Sequence, residues 1–93
     1  MSLIKKNKDK IVNFEFNKEY IKVITEKISS SDAGFINNSF KEMHPADAAD
    51  IIEHLSQDDR ENLIKLSNFK IDPSIFIELN EAIQTEITKY LSN

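Results

Sequence analysis

Two histidines and ten carboxylates fall in residues 44–93 of this 93-residue chain, and they are the side chains whose types could do chemistry. Imidazoles beside carboxylates suit a bound metal or acid–base catalysis. The spacing supports neither. His44 and His54 stand ten residues apart, whereas a helix offers two imidazoles to one zinc at i, i+4. The chain has no cysteine, which removes disulfides and thiolate metal sites. It has a single glycine, too few to build a phosphate-cradling loop, and no nucleophile motif or paired-carboxylate signature. The sequence therefore predicts no enzyme and no catalytic or cofactor-binding residue. His44 reads as a helix-start residue and His54 as a surface side chain on an acidic helix face.

The elements that position these groups announce themselves through their starts. His44, Pro45 and Asp47 form one structural motif: proline at the first helical position loses nothing by lacking an N–H, and the aspartate sits in the first turn near the positive end of the helix dipole. Leu55 ends that helix. Ser56-Gln57-Asp58-Asp59 reads as a new start, with Ser56 as cap and Asp59 placed to reach back to it. The helix that follows carries Leu63, Ile64 and Leu66 on its apolar side. Asp72-Pro73 repeats the cap-then-proline device, and Asn80 caps a last helix with a stripe of Ile83, Ile87, Tyr90 and Leu91. Upstream, a helix starting near Asn17 carries Tyr20, Ile21, Ile24 and Ile28. Ser29-Ser30-Ser31-Asp32 breaks it and offers caps for another helix with Ile36, Phe40 and Met43. Before these, Val12-Asn13-Phe14-Glu15-Phe16 alternates like a strand. A lone strand has no partner for its backbone, so the segment reads as an extended lead-in whose phenylalanines pack on the first helix.

Laying the chain on itself so that Ile51 falls on Ile75 also puts Ile52 on Phe76, Leu55 on Leu79, Leu63 on Ile87, Lys65 on Lys89 and Leu66 on Tyr90. Two copies of one helix pair account for the match. A single short pair buries little and gains stability by stacking on the next. The expected organisation is a lead-in over 1–16 and a helical repeat domain over 17–93, incomplete at its C-terminal end.

Composition agrees with one small domain. Apolar residues make up 40% of the chain and eight are aromatic, enough for a modest core, while one glycine and two prolines leave few sites for tight β-turns. The fold class predicted is all-α: a superhelical, α-solenoid-like stack of about six short helices in helix-pair repeats. No stretch approaches the ~20 apolar residues of a membrane span, and no signal peptide is visible, so the chain as given is expected to be soluble and not secreted. Charge is uneven. Residues 1–43 hold eight lysines against six acids, and residues 44–93 hold four basic residues against ten acidic ones, a balance of −6. Such a surface repels phosphate backbones, so no nucleic-acid partner is expected. The run Lys5-Lys6-Asn7-Lys8-Asp9-Lys10 reads as a solvated terminus.

The block from His44 to Leu55, followed by Asp58-Asp59-Arg60 and Leu63-Ile64-Lys65-Leu66, resembles the cytosolic N-terminal domain of the MgtE-type magnesium transporters. The resemblance covers residues 44–91 well and 17–43 loosely. It implies a superhelical all-α domain on the cytoplasmic side of the membrane, followed by a CBS domain pair and a membrane domain of the same polypeptide, in a homodimeric transporter. It further implies a regulatory role in which Mg²⁺, held by carboxylates between this domain and the CBS pair, closes the pore when the ion is plentiful. Hard-oxygen coordination suits that ion. One departure stands out: where relatives can place an acidic residue facing the regulatory ion, this chain has Ser74. Glu78, one turn on along the expected helix, is the single weak metal candidate. The alternative resemblance is to the flagellar motor switch protein FliG, whose helix start is Glu-His-Pro-Gln where this chain has Met43-His44-Pro45-Ala46. That reading, or a helical adaptor of no named family, would make the domain a protein–protein scaffold.

Overall fold

Side chains that terminate backbone N–H rows recur at a fixed interval in this chain, and the helices follow them. A computed structural model describes residues 18–91. The lead-in over 1–16, with its alternation from Val12 to Phe16, lies outside the described residues. Six helices and no strand occur among those described: α1 over 18–29, α2 over Ala33–Glu42, α3 over Pro45–His54, α4 over Gln57–Ile64, α5 over Pro73–Phe76 and α6 over Glu81–Leu91.

The caps are made as side-chain chemistry dictates. Asp32 Oδ1 accepts from the Phe35 N–H at 3.1 Å, Ser56 Oγ from Asp59 at 3.1 Å, and Asn80 Oδ1 from Ile83 at 2.9 Å. Each bond runs from the cap to the third residue after it, and Asp32, Ser56 and Asn80 are evenly spaced along the chain, at the interval that carries Ile51 to Ile75. The sequence comparison finds two copies of the unit; the structure adds Asp32 as the corresponding cap of a third. At Ser56 the bond formed is the serine half of the expected reciprocal pair. Two residues turn the chain through the left-handed region, Ser31 (φ 59°) after α1 and Asn68 (φ 70°) after α4.

Equivalent helices lie against one another: α3 packs on α5, and α4 on α6. The same register is visible in burial. Ile51 and Ile75, Leu55 and Leu79, and Leu63 and Ile87 are buried in pairs, while Lys65 and Lys89 are both exposed. Ile24, Ile36, Ile51, Ile52, Leu63 and Ile87 have essentially no accessible surface and belong to one continuous core. Each such side chain contributes about 1.5–3 kcal/mol relative to exposure. The first helix pair joins through Phe40, whose ring meets Phe69 edge-on at 6.1 Å and 74°, and through Asn37, whose Nδ2 donates to the Asn68 carbonyl at 2.9 Å.

Two expectations are corrected. Leu91, assigned to the apolar stripe of α6, is 58% exposed, because Ile87 and Tyr90 occupy the core-facing side of the last turns and leave it on the outer side. α5 is one turn long and ends at Phe76. Ile77 therefore points outward at 71% exposure, and Glu78 lies in the turn beyond the helix rather than one turn along it.

Candidate functional site

The start of α3 shows how the motif residues are used. His44 holds extended backbone angles, and its Nδ1 accepts from the Ala46 N–H at 3.1 Å, so the imidazole serves as the N-cap. Pro45 opens the helix, and Asp47 lies in its first turn with its N–H bonded to the His44 carbonyl at 2.9 Å. Ring nitrogen Nδ1 is thereby committed. His54 is engaged at the other end of α3, its Nδ1 standing 2.8 Å from the Asp50 carbonyl oxygen and 3.5 Å from Asp50 Oδ1. The two histidines sit at opposite ends of one helix and do not meet.

The best-organised polar cluster is one that the sequence reading does not single out. Arg60 is the buried charged residue of the core, 9% exposed. Its Nε donates to Glu86 Oε2 at 2.9 Å and its Nη2 to Oε1 at 3.1 Å, a bidentate pair joining α4 to α6. Its Nη1 turns the other way, to the carbonyls of Leu55 at 2.6 Å, Glu53 at 3.3 Å and Ile52 at 3.4 Å, at the C-terminus of α3. A cation there also meets the negative end of the helix dipole. The Tyr90 hydroxyl completes the set by donating to Glu86 Oε2 at 2.6 Å. The Arg60 hydrogen bonds hold the Glu86 carboxyl below its ordinary value, and burial followed by the Glu86 carboxylate pushes the Tyr90 phenol up. Among the described residues no buried side-chain nitrogen or oxygen lacks a partner. One signal for Arg60 is present in the sequence: with Leu63 and Ile64 it forms an i, i+3, i+4 set, so it occupies an apolar-face position of α4.

The ten carboxylates of residues 44–93 divide by task. Glu86 belongs to Arg60. Glu53 Oε2 accepts from the Asn80 N–H at 2.7 Å, pinning the start of α6 to α3. Glu61 pairs with Lys65 at 2.7 Å, and Asp50 with His54. Asp72 Oδ1 accepts from Ser74 twice, from its hydroxyl at 2.7 Å and its N–H at 2.8 Å, and the hydroxyl bond is the larger of the two effects lowering the Asp72 pKa. Ser74 thus braces the start of α5. Asp47, Asp58, Asp59 and Glu81 lie in first turns, where the helix dipole favours them. Glu78 remains, exposed and outside every helix.

Magnesium needs several oxygen ligands in near-octahedral array. Among the described residues no three His, Asp or Glu side chains converge to hold a metal. Those residues therefore form no closed site; what they offer is single carboxylates on an acidic surface. Among the described residues no helix is long and apolar enough to cross a membrane.

Residues 43–93 match the family model of the MgtE intracellular N domain. The chain finds no significant match among curated proteins or solved structures.

Proposed function

The chain belongs to the MgtE intracellular N domain family, a domain of magnesium transporters and not of enzymes, and from that membership we propose that it is the Mg²⁺-sensing regulatory arm of such a transporter. The observation that carries the proposal is the division of its carboxylates. Half of the ten acidic side chains in residues 44–93 are committed to named partners. Asp47, Asp58, Asp59, Glu78 and Glu81 supply charge to the surface without closing on a metal.

An acidic surface of this kind responds to a divalent cation when a second acidic surface faces it. Without the cation the two repel and separate; with it, shared oxygen ligands draw them together. The second surface in this reading is the CBS domain pair of the same polypeptide, and the compact arrangement holds the membrane helices closed. Mg²⁺ shifts the equilibrium only by binding the compact state more tightly than the open one. The domain alone contributes single ligands, so its own dissociation constant for Mg²⁺ is expected to be of the order of millimolar or weaker.

The test is limited proteolysis and cross-linking of the full-length transporter with and without Mg²⁺. Protection of this domain that rises with Mg²⁺, together with cross-links to the CBS pair, supports the reading. Cross-links indifferent to Mg²⁺, or micromolar Mg²⁺ binding by the isolated domain in calorimetry, would overturn it.

A further inference from the structure

A cleft of about 480 Å³ opens where α2 and the start of α3 meet the connection from α4 to α5. Its floor is apolar, lined by Phe40, Phe69 and Ile75, all buried, and by the half-buried Met43. Lys41, in the last turn of α2, and Lys70, next to Phe69, line it from two different stretches of chain. Both lysines are exposed, and neither pairs with an acid among the described residues, whereas Lys27, Arg60 and Lys65 do. The acid on the lining, Asp72, has its Oδ1 taken by the N–H and hydroxyl of Ser74. In a chain of net charge −4, the cleft therefore carries a local surplus of positive charge.

We propose that this cleft docks a short acidic peptide segment of a protein partner, with an apolar side chain seated over Phe40, Phe69 and Met43 and flanking carboxylates held by Lys41 and Lys70. Charge complementarity selects the occupant. An apolar floor beneath a few convergent polar groups is the ordinary make-up of a binding cleft, and here both unpaired charges are cations. Lysines at the rim steer an acidic segment toward the floor and disfavour a basic one. The exposed side-chain amide of Asn38, also on the lining, carries a donor and an acceptor, the same pair that a backbone peptide group carries. An anionic membrane is a poorer match. The ten carboxylates of residues 44–93 are repelled by the same field that would attract the two lysines.

Docking at this cleft is independent of the magnesium reading and is tested on the 93-residue chain. The probe is the end-blocked peptide Asp-Glu-Leu-Phe-Asp-Glu, with Asn-Gln-Leu-Phe-Asn-Gln as its uncharged counterpart, each titrated into isotope-labelled protein and followed by amide chemical shifts. Shifts are expected around Asn38, Lys41, Phe69 and Lys70, with a dissociation constant of the order of 1 mM or below. The uncharged peptide should bind about tenfold more weakly, and Lys41→Ala/Lys70→Ala should lose a similar factor for the acidic one. Both lysines are exposed, so the melt of that variant should match the parent and a lost site is not a lost fold. Absent shifts at millimolar peptide, or equal binding of the two peptides, would overturn the assignment. So would lysine-dependent sedimentation with phosphatidylserine vesicles in the absence of peptide shifts, which gives the cleft to a membrane. Concentration-dependent shifts at the same amides with sedimentation as a dimer would give it to a second copy and overturn it as well.

Discussion

Gln84 repeats, one unit along, the bond made by Arg60. Arg60 Nη1 reaches the carbonyl of Ile52, and at the equivalent position of the next unit Gln84 Nε2 reaches the carbonyl of Phe76 at 2.9 Å. Both donors stand four residues after a cap, Ser56 or Asn80, and both return to the helix before that cap. Repetition therefore extends from the apolar core into the polar contacts that close each helix end.

The Arg60 cluster is expected to dominate the response to single substitutions. Arg60→Ala removes a buried cation from Glu86 and from three carbonyls, and should cost about 3–5 kcal/mol. Arg60→Lys should recover little, since an ammonium cannot serve Glu86 through two parallel bonds while reaching the α3 carbonyls. Glu86→Gln keeps the shape and loses the charge, for about 1–3 kcal/mol. Urea denaturation of the three variants measures the order directly.

Acid should destabilise the protein through two carboxylates, Glu86 of this cluster and Asp72 at the start of α5. Glu86 and Asp72 both titrate below their ordinary values of 4.5 and 3.8 in the folded chain. Their stabilisation is thus fully present above those values and is lost as pH falls through the folded ones. Tyr90 has the opposite sign: its phenol titrates above 10.0, so its contribution is present below that value and is lost as pH rises through the folded one. The denaturation midpoint followed against pH should fall at the acid end, with a shallower slope in Glu86→Gln.

Much of this architecture is legible in the chain because capping is local chemistry. His44, Ser56, Asp72 and Asn80 each bond a backbone N–H two or three residues away, so a short window of sequence contains the whole interaction. Arg60 is different. Its acceptors are backbone carbonyls of the preceding helix end and a carboxylate 26 residues distant, and the spacing that puts it on the apolar face of α4 does not name that carboxylate. Glu78 and Leu91 depart from expectation for a related reason: periodicity gives the face of a helix but not where the helix ends or where its neighbour stops covering it. Under the proposed function, the carboxylates facing a partner are the least legible, since the surface they would meet lies outside residues 44–93.

The caps give a graded prediction. His44→Ala and Asp72→Ala each remove an N-terminal acceptor and should cost about 0.5–2 kcal/mol, whereas His44→Asn should preserve stability or raise it, asparagine being among the best capping residues. Thermal melts of the three variants test the ranking.

Glu78 separates the structural from the functional role of charge. It is exposed and outside every helix, so Glu78→Gln should change the stability of the domain by no more than about 0.5 kcal/mol. In the full-length transporter the same replacement should raise the Mg²⁺ concentration needed to protect the domain from protease. An unchanged midpoint would remove Glu78 from the ion-facing surface.

The two left-handed corners, at Ser31 and Asn68, are built from residues with a Cβ, while Gly34, the one glycine of the chain, sits inside α2. Side chains in that backbone region carry about 1–2 kcal/mol of strain, yet they narrow the range of torsions open to a joint far more than glycine does. These two connections are therefore more restricted in their torsions than glycine would leave them, and the chain's single glycine is spent where a helix needs no such freedom.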